Sequence, residues 1–241
     1  LALNNADVNK LGDAEGDFSD GRNAAIVAVK GGALTMTGGS ITTNGLGAYG
    51  IFISGGDASF VGDGTYLSTS GASSAGIAAA DGASVVFSNG TIATEGESSP
   101  CLLLSGGGVT LVNMKLSAKS APLVYAPGGD SRLMLEGTAL STAPVIDEFA
   151  TLWLELKNGS SLIGTFGESL PARASVSLDA ASTWTLDADA YVTVFLNADT
   201  TNANIVSNGY SIYYDSNAPE NEPLGGQSYA LPGGGYLAPL I

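Results

Sequence analysis

Apolar residues recur along this chain at two spacings. Within short segments they alternate with polar residues, as in Leu34-Thr35-Met36 and Val109-Thr110-Leu111, and the segments themselves return about every 22 to 26 residues. Alternation over three to five positions predicts half-buried strands, and a longer fixed period predicts strands that stack as repeats. The unit is an apolar-x-apolar strand, a Gly- or Asn-bearing turn, a second strand centred on Ile or Leu, a Ser/Thr/Gly loop and a third apolar strand. Its clearest copies are LTMTGGSITTNGLGAYGIFISGG from Leu34, VVFSNGTIATEGESSPCLLLSGGG from Val85 and VTLVNMKLSAKSAPLVYAPGG from Val109.

The second strand supplies a ruler. Its central apolar residue falls at Val8, Ile41, Leu67, Ile92, Leu116, Leu140, Leu162 and Trp184, in steps of 33, 26, 25, 24, 24, 22 and 22 residues, which predicts eight rungs. Five residues earlier stand Leu3, Met36, Phe87, Leu111 and Leu135, and two earlier again Leu1, Leu34, Val85, Val109 and Leu133. A turn one residue longer assigns Val61, Leu156 and Leu178 to the first of these columns. Two residues beyond the ruler lie Thr43, Thr69, Thr94, Ala118 and Thr142, small enough for a tight corner, and the third strand supplies Ile26, Ile51, Ile77, Leu102, Val124 and Ile146.

A strand this short cannot bury an apolar face alone, but strands from successive coils can hydrogen-bond in parallel and pile like residues into columns. The expected fold is therefore all-β, a right-handed parallel β-helix (β-solenoid) of about eight coils. At about 4.8 Å per coil it forms a rod on the order of 40 Å long. The 34 glycines fit corners that need positive φ. No 11-residue window sustains the i, i+3, i+4 apolar spacing of a helix. Residues 1–185 are expected to form the β-helix, and 186–241 a capping segment of the same domain. In that segment AYVTVFL, the Asn208-Gly209 turn between NIVS and YSIYY, and the pair QSYAL and GYLAPL around Pro232–Gly235 read as antiparallel hairpins. Tyr210, Tyr213 and Tyr214 would cover the open edge there. The front end shows no comparable cap, since Leu1, Leu3 and Val8 already occupy column positions, so the expectation is either a preceding coil that has been removed or another chain that covers it, as in self-association through the N-terminal coil.

Composition narrows function mainly by exclusion. Eight basic against 23 acidic side chains give a net charge of −15. That charge repels phosphate backbones, and the basic residues form no cluster in sequence, so nucleic acid is excluded as a partner. Without His, the Ser-His-Asp hydrolases, Cys-His proteases and most catalytic zinc sites are excluded too. No run approaches 18 apolar residues, so no membrane insertion is expected. One Cys permits no internal disulfide.

Several segments resemble a known family. GDFSDGRNAAIVAVKGGALTMTGGSITTNGLGAYGIF from Gly16 to Phe52, the repeated corners ITTNG, LSTSG and IATEG, and STWTLDADAYVTVFLNADTTNANIVSNGYSIYYDS from Ser182 to Ser216 are similar to the secreted or cell-surface right-handed parallel β-helix proteins of anaerobic bacteria and methanogens, described as adhesin-like or carbohydrate-binding-domain proteins. The resemblance implies the fold and an extracellular or cell-surface location. It brings no catalytic motif.

Candidate chemistry is sparse. The long first step contains LGDAEGDFSDGRN, whose Asp13, Glu15, Asp17 and Asp20 could converge on a Ca²⁺, although the turn glycine and terminal Glu of an EF-hand loop are missing. Asp147 and Glu148 interrupt an uncharged third-strand column and Glu155 lies on the next coil. They are the acids a glycoside hydrolase in a lateral groove would use. A lyase base is not evident, since Arg22, Arg132 and Arg173 are scattered over different coils. Tyr49, Tyr66, Tyr125, Trp153 and Phe166 are candidate sugar platforms wherever they point outward. The Thr column is interrupted by Ala118 and reads as inward-facing, which disfavours ice binding. Cys101 adjoins a core column and is expected to be buried and inert. Asn89-Gly90-Thr91 and Asn158-Gly159-Ser160 match glycosylation sequons but coincide with coil turns. The expected function is a noncatalytic extracellular adhesin or scaffold whose partner is a glycan or a surface protein, with a carbohydrate-active enzyme as the alternative.

Overall fold

The computed structural model describes residues 1–15, 20–167 and 173–240. It is an all-β parallel solenoid of about nine turns. On its first face nine strands pair in parallel, starting with Ala2–Asn4, Ala33–Thr37, Ser59–Asp63, Ser84–Ser88 and Gly108–Val112. The series continues through Gly129–Glu136, Ala150–Lys157 and Ala174–Leu178 to Phe195–Asn197. The second face holds five strands, Asp7–Lys10 to Lys115–Ala118, and then four more, Ala139–Leu140 to Ile205–Val206. The third face runs from Ile26–Val29 to Val145–Ile146 and ends in a small mixed sheet made of Ala190–Val192, Ile212–Asp215, Tyr229–Ala230 and Tyr236–Leu240.

Like side chains do stack. Val8, Ile41, Leu67, Ile92 and Leu116 pair coil to coil, and so do Leu140, Leu162 and Trp184, with Ile205 adding a ninth rung to the expected eight. On the first face Leu34, Phe60, Val85, Val109, Leu133, Leu154, Val176 and Phe195 form one file, all of them buried. Each such side chain contributes roughly 1.5 to 3 kcal/mol when fully removed from water. The stability of the rod therefore lives in these columns more than in any single three- to five-residue ladder.

Four sequence assignments shift. Gly62, not Val61, occupies the Met36–Phe87 file, and Val61 is 46% exposed. Phe60 and Phe87 meet edge to face at 5.9 Å and fill the space, so a Cβ on Gly62 would lie 2.5 Å from the Phe87 ring. Thr142 is exposed because its second-face strand is only Ala139–Leu140; Thr43, Thr69 and Thr94 do point inward and are buried. Thr43 and Thr69 each donate at 2.6 Å to a carbonyl, of Ala48 and Ser74. Ile146 pairs with Ala126, which puts it one inward position further along the strand than the Ile26–Val124 file.

The fourth shift concerns the end of the chain. Asn208 and Gly209 both have positive φ, +53° and +90°, as a hairpin turn would require. Yet the strands on either side pair in parallel with earlier coils: Ile205 with Trp184, and Ile212 with Ala190. The turn is a corner between faces, so regular coiling continues past residue 185. A closing hairpin does form around Pro232–Gly235, where Tyr229–Ala230 pairs antiparallel with Tyr236–Leu240. The 3₁₀ helix Pro219–Leu224 packs beside the last first-face strand. It is pinned by buried Asn221, which accepts from the Phe195 N–H at 2.9 Å and donates to the carbonyls of Thr193 and Asp215. At the other end Leu1 is 79% exposed.

Corners between the first two faces place Asn5, Gly38, Gly64, Asn89, Asn113, Gly137 and Asn158 at φ from +47° to +65°. Asn tolerates this left-handed conformation better than most residues, which accounts for both sequon-like sites as turns. The Asp63 carboxylate accepts from Ser88 Oγ and Asn89 Nδ2, both at 2.7 Å, and these bonds hold its carboxyl below the usual range.

Candidate functional site

Outward positions on a parallel solenoid are as regular as inward ones, so a site must come from a local change in side-chain type. One outward column of the first face runs Ala33, Ser59, Ser84, Gly108. At the next three rungs it becomes Arg132, Trp153, Ser175. Here the strands Gly129–Glu136 and Ala150–Lys157 are eight residues long where most first-face neighbours have five. The additional length adds a second column, in which Asp130 pairs with Thr151 and Arg173 follows, its carbonyl accepting from the Leu152 N–H one position along at 2.9 Å.

These six side chains form a grid two columns wide and three coils tall, walling an open groove of about 360 Å³. The Arg132 guanidinium lies over the Trp153 indole, 5.7 Å from the ring centroid. Such a contact is worth roughly 0.5 to 1 kcal/mol at an exposed site and fixes the ring more than it strengthens the fold. Asp130 accepts from Thr151 Oγ1 at 2.7 Å. The ion pairs among the described residues are Arg22–Asp20 and Lys157–Glu155, so neither groove arginine is neutralised by a carboxylate there. Two of the chain's eight basic residues line this groove against the single carboxylate of Asp130, which leaves it net positive on a strongly acidic protein.

The other aromatic candidates are placed differently. Tyr49 is buried and stacks on Phe52, with centroids 6.2 Å apart, in a small cluster that Gly21 also touches. Phe166 packs in the core against Trp184 at 5.8 Å. Tyr66 is half-exposed on the second face among Ser40, Thr91 and Lys115. Tyr125 stands on the third face and donates to Asp147 Oδ2 at 2.5 Å; that bond to a carboxylate pushes its phenol above the ordinary value. Trp153 is set apart from Tyr66 and Tyr125 by lining a groove that two arginines also wall.

The acids do not converge. Asp147 and Glu148 sit at the corner that precedes Ala150–Lys157, while Glu155 points outward from the middle of that strand and pairs with Lys157 at 2.9 Å. Five residues of strand separate Ala150 from Glu155, about 16 Å, whereas glycosidase carboxyls lie within about 10 Å of each other. In the acidic insertion, Asp13 accepts from the Leu46 N–H at 2.8 Å, Asp20 pairs with Arg22 at 2.6 Å, Glu15 is exposed, and Asp17 lies outside the described residues. Among the described residues no three His, Cys, Asp or Glu side chains cluster as metal ligands.

Cys101 is fully buried, and burial pushes its thiol up to about 11. Thiolate is the reactive form, so iodoacetamide at pH 8 is expected to leave the folded protein unmodified and to alkylate it fully in denaturant, as read by intact mass. Labelling of the native protein at the rate of a free thiol would contradict this burial.

The arginines beside Trp153 escape a reading that treats different coils as distant. Their spacing carries the signal: 130, 151, 173 and 132, 153, 175 each step by 21 and then 22 residues, the local coil period. Comparison with known proteins finds no matching family model, no matching curated protein and no matching solved structure.

Proposed function

We propose that this β-solenoid is a noncatalytic extracellular or cell-surface module, an adhesin or scaffold, that binds a glycan in the groove around Trp153. The observation that carries the reading is the outward indole held between Arg132 and Ser175, beside Thr151 and Arg173. Sugar recognition asks for an aromatic platform that takes the apolar face of a pyranose, with polar groups around it for the hydroxyls. A stacked rod supplies the platform on rigid strands, so little ordering cost is incurred on binding. The acidic surface elsewhere favours solubility in a displayed protein. The wide separation of Glu155 from Asp147 and Glu148 weighs against hydrolysis.

A glycan array with the wild-type protein and Trp153→Ala tests this. The wild type is expected to retain a defined set of oligosaccharides, with affinity for each falling at least tenfold in the variant while the melting temperature stays unchanged. No reducing ends should be released from any retained glycan. Binding indifferent to Trp153, or release of reducing sugar, would overturn the proposal.

A further inference from the structure

Resting on that glycan reading, we infer that the sugar in the Trp153 groove carries a carboxylate, as a uronic or sialic acid does, and that it is a single acidic residue in a short or sparsely charged chain. Arg132 and Arg173 stand at diagonal corners of the grid, two coils and one column apart. Their Cα atoms are therefore about 12 Å apart across the groove. Arg132 covers one side of the indole, and the residue on the opposite side of Trp153 in that column is Ser175, whose short side chain leaves room for a ring. A pyranose stacked there lies on the same coil as Arg173, one outward column away. The planar guanidinium fork matches a carboxylate through two parallel hydrogen bonds, a fit that neutral hydroxyls do not reproduce. A neutral sugar would displace water from Arg173 without replacing those bonds.

Net charge sets the upper limit on ligand charge. At physiological salt, interactions are screened over about 8 Å, so a carboxylate bound beside Arg173 senses two arginines against the one carboxylate of Asp130, whereas a long polyanion also runs beyond the groove along a protein whose net charge is −15. The geometry therefore favours one acidic sugar over a continuous polyuronide.

Calorimetric titration with a panel of short oligosaccharides, each ending in one uronic or sialic acid and each paired with its methyl ester, tests the inference. At least one acid is expected to bind the wild type ten times more tightly than its ester. The ratio should fall toward one in Arg173→Gln, and Trp153→Ala should weaken acid and ester alike, with circular dichroism and melting temperature preserved in both variants. Trp153-dependent binding of sugars with no preference for acid over ester would overturn the carboxylate while leaving glycan binding intact. Failure of every acidic and neutral sugar to bind in a Trp153-dependent way would overturn both.

Discussion

Gly71→Ala is expected to destabilise the protein by more than about 4 kcal/mol, a loss in the range that marks a specific structural clash. Gly45, Gly71 and Gly96 close the corners ITTNG, LSTSG and IATEG, and each lies directly against the coil before it. A Cβ on Gly71 would overlap the Gly45 carbonyl oxygen, and one on Gly96 would overlap that of Gly71, both far inside the 3.0 Å that real Cβ contacts keep. Backbone is on both sides of the contact, so no side-chain rotation relieves it. Coils must separate, which breaks the parallel hydrogen bonds on both adjoining faces. Gly56 provides the control: its φ lies outside the left-handed region, and a methyl group there would meet nothing within 4 Å. At that position Gly→Ala restricts only the unfolded chain and is expected to be neutral or to stabilise by up to about 1 kcal/mol. Urea unfolding midpoints of the two variants should therefore move in opposite directions or differ severalfold; equal shifts would contradict the close stacking of corners.

Phe87→Ala is expected to cost about 3 to 5 kcal/mol, the transfer loss of a large side chain plus the cavity that remains. Phe87 is fully buried, rests edge to face on Phe60 and roofs Gly62. The same geometry predicts non-additivity. Gly62→Ala alone forces a methyl to 2.5 Å from the Phe87 ring and 2.7 Å from the Phe60 ring, but in the Phe87→Ala background the first contact is gone and the Phe60 ring can shift into the cavity to relieve the second. The double variant should be at least about 1 kcal/mol more stable than the sum of the two singles implies, since residues that share a cavity couple by amounts of this order. Simple additivity in urea unfolding would place the two residues in separate columns.

Most of the core is legible in the sequence because columns repeat and each repeat corrects its neighbours. The Ile41–Leu67–Ile92–Leu116 series and the Leu34–Val85–Val109–Leu133 series follow from spacing alone. The misplacements share a cause, in that each depends on neighbours a local pattern does not include. At Gly62 the volume is supplied by the rings above and beside it, so hydropathy points instead to Val61, one residue earlier. At Asn208-Gly209 the local turn signal is genuine, but backbone dihedrals say how the chain bends and not which strand receives it. Glycine has two uses in this fold, and composition suggests only one of them. Positive φ explains Gly38, Gly64 and Gly137, whereas Gly45, Gly71 and Gly96 are required by close approach between coils. The site is half legible. Trp153 is identifiable as a candidate aromatic platform, but the meaning of Arg132 and Arg173 depends on register, and only the coil period converts 41 residues of sequence separation into two rungs of height.

Stacking in register is the claim beneath all of this, and paired cysteines on the outer surface test it most directly. Val86 and Thr110 are coil-to-coil partners on the first face, and Val112 lies one outward position further along. Their spacing puts the Cα atoms of the first pair about 4.8 Å apart and those of Val86 and Val112 about 8 Å apart, on either side of the roughly 7 Å limit for a disulfide. Under mild oxidation the V86C/T110C protein is expected to form an intramolecular disulfide while V86C/V112C stays reduced, read by non-reducing electrophoresis and intact mass. Bridging of the second pair in preference to the first would mean that the coils are not stacked in this register.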